Sequence, residues 1–368
     1  MSVAAHNAYR SEPVGSLLRP DYLKQAVRQY EAGMLTAEEL TAVQDRAVLE
    51  AIALQEACDL DVITDGEMRR LSWSDPLTCS LAGYTRNAQA VVPFTSGQTQ
   101  TVARLPAVTG RLQPKTNLPL QELRFLRQHT QRPWKVTLPS MTYASVLWVP
   151  GISEQAYPDR EEYLRDALTL MREVVAQLVA NGARYIQLDA PRYTHLVSEA
   201  GRENFRRLGI DVSTWLGEMI ALDNALIAGF PEVTFGLHLC RGNSRSMWAV
   251  EGGYDPIAEQ LFSEIRCQRL LLEYDSPRAG TFAPLRFVPA DKVVVLGLIT
   301  TKTSELESET VLRQRIEEAA RYVPLERLAL SPQCGFASNL PGNLITEEAQ
   351  RQKLALLGRL AKEIWGAR

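Results

Sequence analysis

Short runs rich in β-branched and other apolar residues recur along the chain, and most are followed by a stretch in which apolar positions return every three or four residues. The runs are 13–16, 61–65, 135–138, 185–189, 234–238, 270–274, 293–298 and 327–330. Leu164, Leu168, Met171, Val175 and Leu178 mark one face of a helix over 159–180, with Asn181-Gly182 as its C-cap. Thr36 and Glu39 have the spacing of a capping box ahead of a helix leading to Cys58, and 309–320 and 346–365 supply further helices. Strand and helix alternating through the whole length predict a parallel sheet with helices outside it. Eight such units favour an α/β fold closed as a (β/α)8 TIM barrel over an open doubly wound sheet. No glycine-rich dinucleotide fingerprint follows an early strand, so the open sheet lacks its simplest support.

One stretch exceeds a minimal barrel. Residues 70–131, rich in Thr, Gln, Gly and Pro, separate the second and third runs and are too long for an ordinary strand-to-helix loop. Two β-prone segments inside it, 90–92 and 101–105, are expected to pair as a hairpin, a candidate lid, followed by an amphipathic helix over Leu118–His129. Pro93 weakens the hairpin by closing its first segment early. No composition break isolates a second unit, so 1–368 reads as one catalytic barrel domain with 70–131 inserted in it.

Composition narrows the class. Forty basic and forty-three acidic residues give a net charge of −3, with no long block of one sign, so neither nucleic acid nor an anionic membrane is the expected partner. The N-terminus has no uninterrupted apolar stretch and no later segment is apolar enough to span a bilayer, so a soluble, cytoplasmic protein is expected. Five scattered cysteines argue against a disulfide scaffold and are read one at a time. A homo-oligomer is left open.

Candidate chemistry collects at strand ends. His238 and Cys240 end an apolar run and, two apart in an extended chain, point the same way. Taken alone the pair is equally an ordinary strand-end histidine and a core thiol. Glu273 ends the apolar run LLLE, where a carboxylate is costly unless paired or metal-bound, and Cys334 follows the eighth run. All four fall at the C-terminal ends of expected strands, the face on which barrel enzymes place their chemistry. Nitrogen, sulfur and carboxylate donors in tetrahedral number suit Zn2+. The competing account gives Glu273 a salt bridge and leaves both cysteines in the core.

Asp65, Gly66 and Glu67 follow the second run and Asp189 ends the fourth. These carboxylates could hold a substrate ammonium, or act as general acid or base where burial raises their pKa. They could equally be exposed, or cap helices. Ser16, in the Gly15-Ser16 turn, could bind a carboxylate or serve as an N-cap. Arg241 and Arg245 stand beside the metal candidates, where they could accept an anionic substrate tail or brace Glu273. His195 and Tyr193 follow Asp189 as candidates for lining a pocket, with a surface position for His195 equally open. Cys58, Cys79 and Cys267 read as ordinary thiols.

Seven separated motifs carry a family likeness: VGSLLRP, DVITDGEMRR, YIQLDAPRY, HLCRGN, LLLEYDSPRAG, VVLGLITTKTSELE and LSPQCGFAS. Together they cover nearly the whole chain, which resembles the cobalamin-independent methionine synthase superfamily in its short form with a single catalytic barrel. The resemblance implies a zinc-dependent thiol methyltransferase, with zinc held by His238, Cys240, Glu273 and Cys334. It also implies that Glu67 and Asp189 hold the amino group of a thiol such as homocysteine, with the Gly15-Ser16 turn receiving its carboxylate. For the long enzymes the methyl donor is a methyltetrahydrofolate. This chain lacks their companion barrel, and has Ala190 where they carry an acidic residue after the aspartate. Alkyl transfer from another donor, such as an epoxide, therefore stays open, as does a non-enzymatic zinc-dependent binding or regulatory barrel.

Overall fold

The computed structural model describes residues 9–85, 91–97 and 99–366. Ten strands are named in chain order. They are β1 (Leu81–Thr85), β2 (Val91–Thr95), β3 (Gln100–Arg104), β4 (Ala107–Pro114), β5 (Val136–Pro139), β6 (Tyr185–Asp189), β7 (Thr234–Leu239), β8 (Arg269–Glu273), β9 (Val293–Ile299) and β10 (Leu328–Pro332). β5 to β10 form one parallel sheet in sequential order, and every residue in them is buried. Burial on both faces explains why β9 reads VVVLGLI, without alternation.

Two further segments close the sheet into a barrel. The Leu330 N–H donates to Arg10 O (2.8 Å) and Glu12 N–H to Leu330 O (3.2 Å). Val62 N–H reaches Ser11 O (3.2 Å), Ile63 N–H reaches Pro133 O (3.0 Å), and Lys135 N–H returns to Ile63 O (3.1 Å). Eight segments thus close the ring. The first pairs through residues 10–12 rather than 13–16. Pro13 has no N–H for a ladder, and the pairing residues are polar, so they do not show as an apolar run.

Glu12 explains that polarity. Wholly buried, it takes Lys135 Nζ (2.5 Å), Arg269 Nη2 (2.6 Å) and the Tyr185 hydroxyl (2.8 Å). These groups stand at the starts of different staves and tie the N-terminal end of the barrel together.

The helices follow their local signals. Thr36 and Glu39 form the capping box of Ala37–Ala57, and Asp159 caps Arg160–Ala180, which ends at Asn181 and Gly182, with φ of +101° at the glycine. Residues 70–131 contain the antiparallel pair β1–β4 and the hairpin β2–β3, then the helix Leu118–His129. Pro93 stands inside β2, opposite Val102, because a two-stranded ribbon leaves each strand one side without a ladder. Ala90 lies outside the described residues. The hairpin is anchored at Thr95, which exchanges backbone hydrogen bonds with Trp248 in the loop after β7 (2.7 and 2.8 Å).

Candidate functional site

His238 belongs to β7, Cys240 lies one residue past its end, and Cys334 lies two residues past β10. Parallel strands bring their C-terminal ends together, so the His238, Cys240 and Cys334 donor atoms lie within 4.8 Å of one another, all buried. Neither ring nitrogen of His238 has a hydrogen-bond partner. A buried imidazole normally satisfies at least one, so a nitrogen and two sulfurs with unused lone pairs have the donor chemistry of a zinc site. The Cys334 thiol beside it, and then His238, hold the Cys240 thiol well below the usual range, despite burial. The Cys334 thiol is pushed well above its usual range, by Cys240 first and then by burial.

Glu273 stands next to this trio but outside its 4.8 Å group. The Arg241 N–H donates to its Oε2 (2.8 Å), and Arg278 donates to its Oε1 through Nε (3.1 Å) and Nη2 (2.9 Å). Burial pushes its carboxyl pKa up, but Arg241, Arg278 and Lys302 outweigh that and hold it below the ordinary value. An ionised carboxylate is thereby maintained in a wholly buried position beside the thiols.

The trio lines a cavity at the C-terminal face of the barrel, with Ser16, Glu67 and Asp189 also in its wall. Glu67 has a left-handed backbone (φ +56°), with its N–H held by Asp65 Oδ1 (3.0 Å). Its Oε1 accepts from the Thr137 hydroxyl (2.8 Å), and Oε2 has no partner. Such a strained, half-satisfied buried acid keeps an acceptor oxygen unused. The Asp189 carboxyl accepts from Gln187 Nε2 (2.7 Å), and burial pushes it up to about 7 against the pull of His238. Ser16 Oγ accepts from the Ala337 N–H (3.3 Å), locking the first stave's turn to the loop that carries Cys334.

Three expectations change. Arg241 is wholly buried, and its guanidinium donates to Gly252 O, Ala279 O, Glu273 O and the Tyr254 hydroxyl. Those partners leave it no donor for an anionic tail, so Arg241 braces Glu273. Arg245 is exposed at φ +48° and does not line the cavity, because the turn around Ser244–Met247 carries it outward. Asp65 acts through the backbone of Glu67 and is not in the cavity wall.

Several lining residues went unrecognised in the sequence. Phe94 and Arg104 reach the cavity from the β2–β3 hairpin, so this part of the insertion covers the site. Tyr143, Arg192 and Asn243 also line it, and Lys302 buries its ammonium against Asn243 Oδ1 (3.0 Å). Lys302 lies within a family-like motif, a usable signal; Arg104 and Tyr143 carry none, because only the folded chain brings them over the cavity. His195 is buried and lines the cavity, whereas Tyr193 turns away to Asp223 (2.9 Å). Cys58 and Cys267 are buried away from the cavity.

Known proteins are similar to this chain over most of its length. Residues 12–354 match the family model described as the catalytic domain of cobalamin-independent synthase. An uncharacterized protein, YxjH of Bacillus subtilis, is 38% identical over 366 residues, covering 97% of this chain and 95% of the relative. A methionine synthase of Pyrococcus horikoshii is 23% identical over 326 residues, covering 88% and 85%. A crystal structure from Listeria monocytogenes, provisionally described as a vitamin-B12 independent methionine synthase, superposes with a TM-score of 0.74 at 28% identity, covering 98% of each chain. With the matched region spanning both the barrel and the cavity at its mouth, the chain belongs to the cobalamin-independent synthase catalytic-domain family.

Proposed function

We propose that this protein is a zinc-dependent S-methyltransferase that moves a methyl group, from a methyltetrahydrofolate-type donor, to an amino-acid thiol such as homocysteine, giving methionine. The observation that carries the reading is the juxtaposition of His238, Cys240 and Cys334 with Glu67, Asp189 and Ser16 in one cavity wall.

His238, Cys240 and Cys334 would hold the metal, with Glu273 as the fourth donor through a lone pair that its arginine partners leave unused. When bound, zinc lowers the pKa of a thiol and so makes a sulfur nucleophile available at neutral pH. Glu67 and Asp189 take the substrate ammonium. Glu67 brings an unpartnered oxygen, and Asp189 ionises near neutrality. The Gly15-Ser16 turn lies beside Glu67 and receives the carboxylate at the other end of the same amino acid. With both ends fixed, the sulfur is directed at the thiol and imidazole donors. The β2–β3 hairpin excludes water while the methyl donor is held in line, and that orientation contributes much of the rate.

The test is a donor screen with zinc-loaded protein and homocysteine, comparing mono- and polyglutamylated methyltetrahydrofolate, simple methyl donors and an epoxide. Methionine formation matched by loss of a methyl donor is the expected result. Turnover of the epoxide alone would replace methyl transfer with another alkylation. Zinc-edge absorption showing no added sulfur at saturating homocysteine would remove thiol activation and favour a binding barrel.

A further inference from the structure

Arg192 is a buried cation that no carboxylate of the described residues pairs with. It is 6% exposed and lines the cavity, yet its Nε has no hydrogen-bond partner. Among the described residues its one hydrogen-bonded neighbour is a histidine, with Nη1 3.1 Å from His195 Nε2, and its guanidinium lies 5.8 Å from the centre of the Tyr143 ring. Among the described residues no carboxylate forms an ion pair with it. Two other buried arginines near the barrel mouth are treated differently. Arg70 has Glu122 and Glu67, and Arg241 is saturated by carbonyl oxygens and a tyrosine hydroxyl.

Burying a guanidinium without a carboxylate partner costs free energy; among the described residues, the Tyr143 side chain and the Cys240 thiol, itself a metal candidate, favour its charge. Burial lowers the Arg192 pKa to about 10, so it remains a cation at neutral pH. Burial, and then the Arg192 charge, push His195 well below its usual value, so that ring is neutral. A neutral ring accepting through Nε2 carries its proton on Nδ1, and that atom also has no partner. Two buried N–H donors, one charged, are thus unused beside the cavity.

Glu67 and Asp189 cannot be the complement to an anion, and in the function proposed above they and Ser16 already account for the ammonium and carboxylate of the acceptor thiol. We infer that Arg192, assisted by His195, binds an anionic oxygen group, a carboxylate, sulfonate or phosphate, carried by the second substrate, the alkyl donor. The inference rests on that function for the identity of the second substrate. The anion site itself rests on a buried guanidinium that no carboxylate of the described residues pairs with and whose Nε has no partner.

Calorimetry with the zinc-loaded protein tests it, using sulfate at constant ionic strength as the anion probe and homocysteine in a separate titration. Arg192→Gln and Arg192→Lys are compared with the parent, each first shown to retain the parent's thermal midpoint within a few degrees. The expected result is one sulfate per chain, at least tenfold weaker in Arg192→Gln and partly restored in Arg192→Lys, with homocysteine affinity changed less than twofold. No sulfate binding by the parent, or equal binding by Arg192→Gln, overturns the anion site. A tenfold loss of homocysteine affinity in Arg192→Gln assigns the guanidinium to the acceptor's carboxylate and overturns the donor assignment. Failure of the parent to bind homocysteine overturns the thiol function while the sulfate titration still decides the anion site.

Discussion

A methyl group placed on Gly15 would lie 2.4 Å from Glu67 Oε1. The turn of the first stave and the acid of the second are therefore fitted against each other, and Glu67 cannot retreat, because Thr137 and Arg70 hold the same oxygen. Gly15→Ala should displace the Glu67 carboxylate and weaken binding of a thiol with an amino group. Calorimetry should show homocysteine affinity at least tenfold lower, equivalent to about 1.4 kcal/mol, with 4-mercaptobutyrate, which lacks the ammonium, little affected. Equal losses for both thiols would mean that the turn, not the acid, is what the substitution damages.

Cys334→Ala removes one of two sulfurs from the trio and should leave the purified protein with less than a tenth of the parent's zinc by elemental analysis. Cys267→Ala, in the core and away from the cavity, is the comparison and should retain the metal. Full zinc in the Cys334 variant would show that the metal is held elsewhere.

Asp223 gives a stability prediction remote from the metal candidates. Its carboxylate takes the Met141 N–H (2.7 Å) and the Tyr193 hydroxyl (2.9 Å), and burial pushes its pKa up to about 7. A folded-state value above the unfolded one favours the folded protein while the group is protonated, so this contribution is complete below about 4 and is lost as pH rises through 7. Asp223→Asn, neutral at every pH, should be more stable than the parent at pH 8, by the order of a few kcal/mol. Its denaturation midpoint should fall less between pH 5 and 8 on the order of linkage from one group. An unchanged pH dependence would remove Asp223 as its source.

Glu12 behaves in the opposite sense. Burial raises its pKa, but Lys135 and Arg269 outweigh burial and hold it at about 2. Its contribution is present above the ordinary carboxylate value and disappears as pH falls toward 2. Glu12→Gln leaves two buried cations without their anion and should cost about 3–5 kcal/mol at neutral pH, read as a lower midpoint in urea. A cost under about 1 kcal/mol would mean that the cluster does not hold the barrel end.

The sequence by itself determined the barrel and the candidate metal-donor types. Apolar runs alternating with helical periodicity are a local signal, and the i, i+2 relation of His238 and Cys240 follows from extended backbone alone. The motif around LSPQCGFAS likewise placed Cys334 at a strand end. What only the tertiary structure decided was which polar residues are spoken for. Arg241 and Arg192 look alike in sequence, each a few residues past a strand carrying a site acid or histidine. Folding surrounds Arg241 with carbonyl oxygens from Gly252, Glu273 and Ala279, whereas Arg192 meets a neutral histidine, an aromatic face and the Cys240 thiol but no carboxylate among the described residues. A charge's availability depends on neighbours distant in the chain, and periodicity carries no information about them. The same holds for residues 10–12, whose place in the barrel depends on the distant partners Val62 and Leu330, and for the hairpin over the cavity, anchored through Thr95 to Trp248.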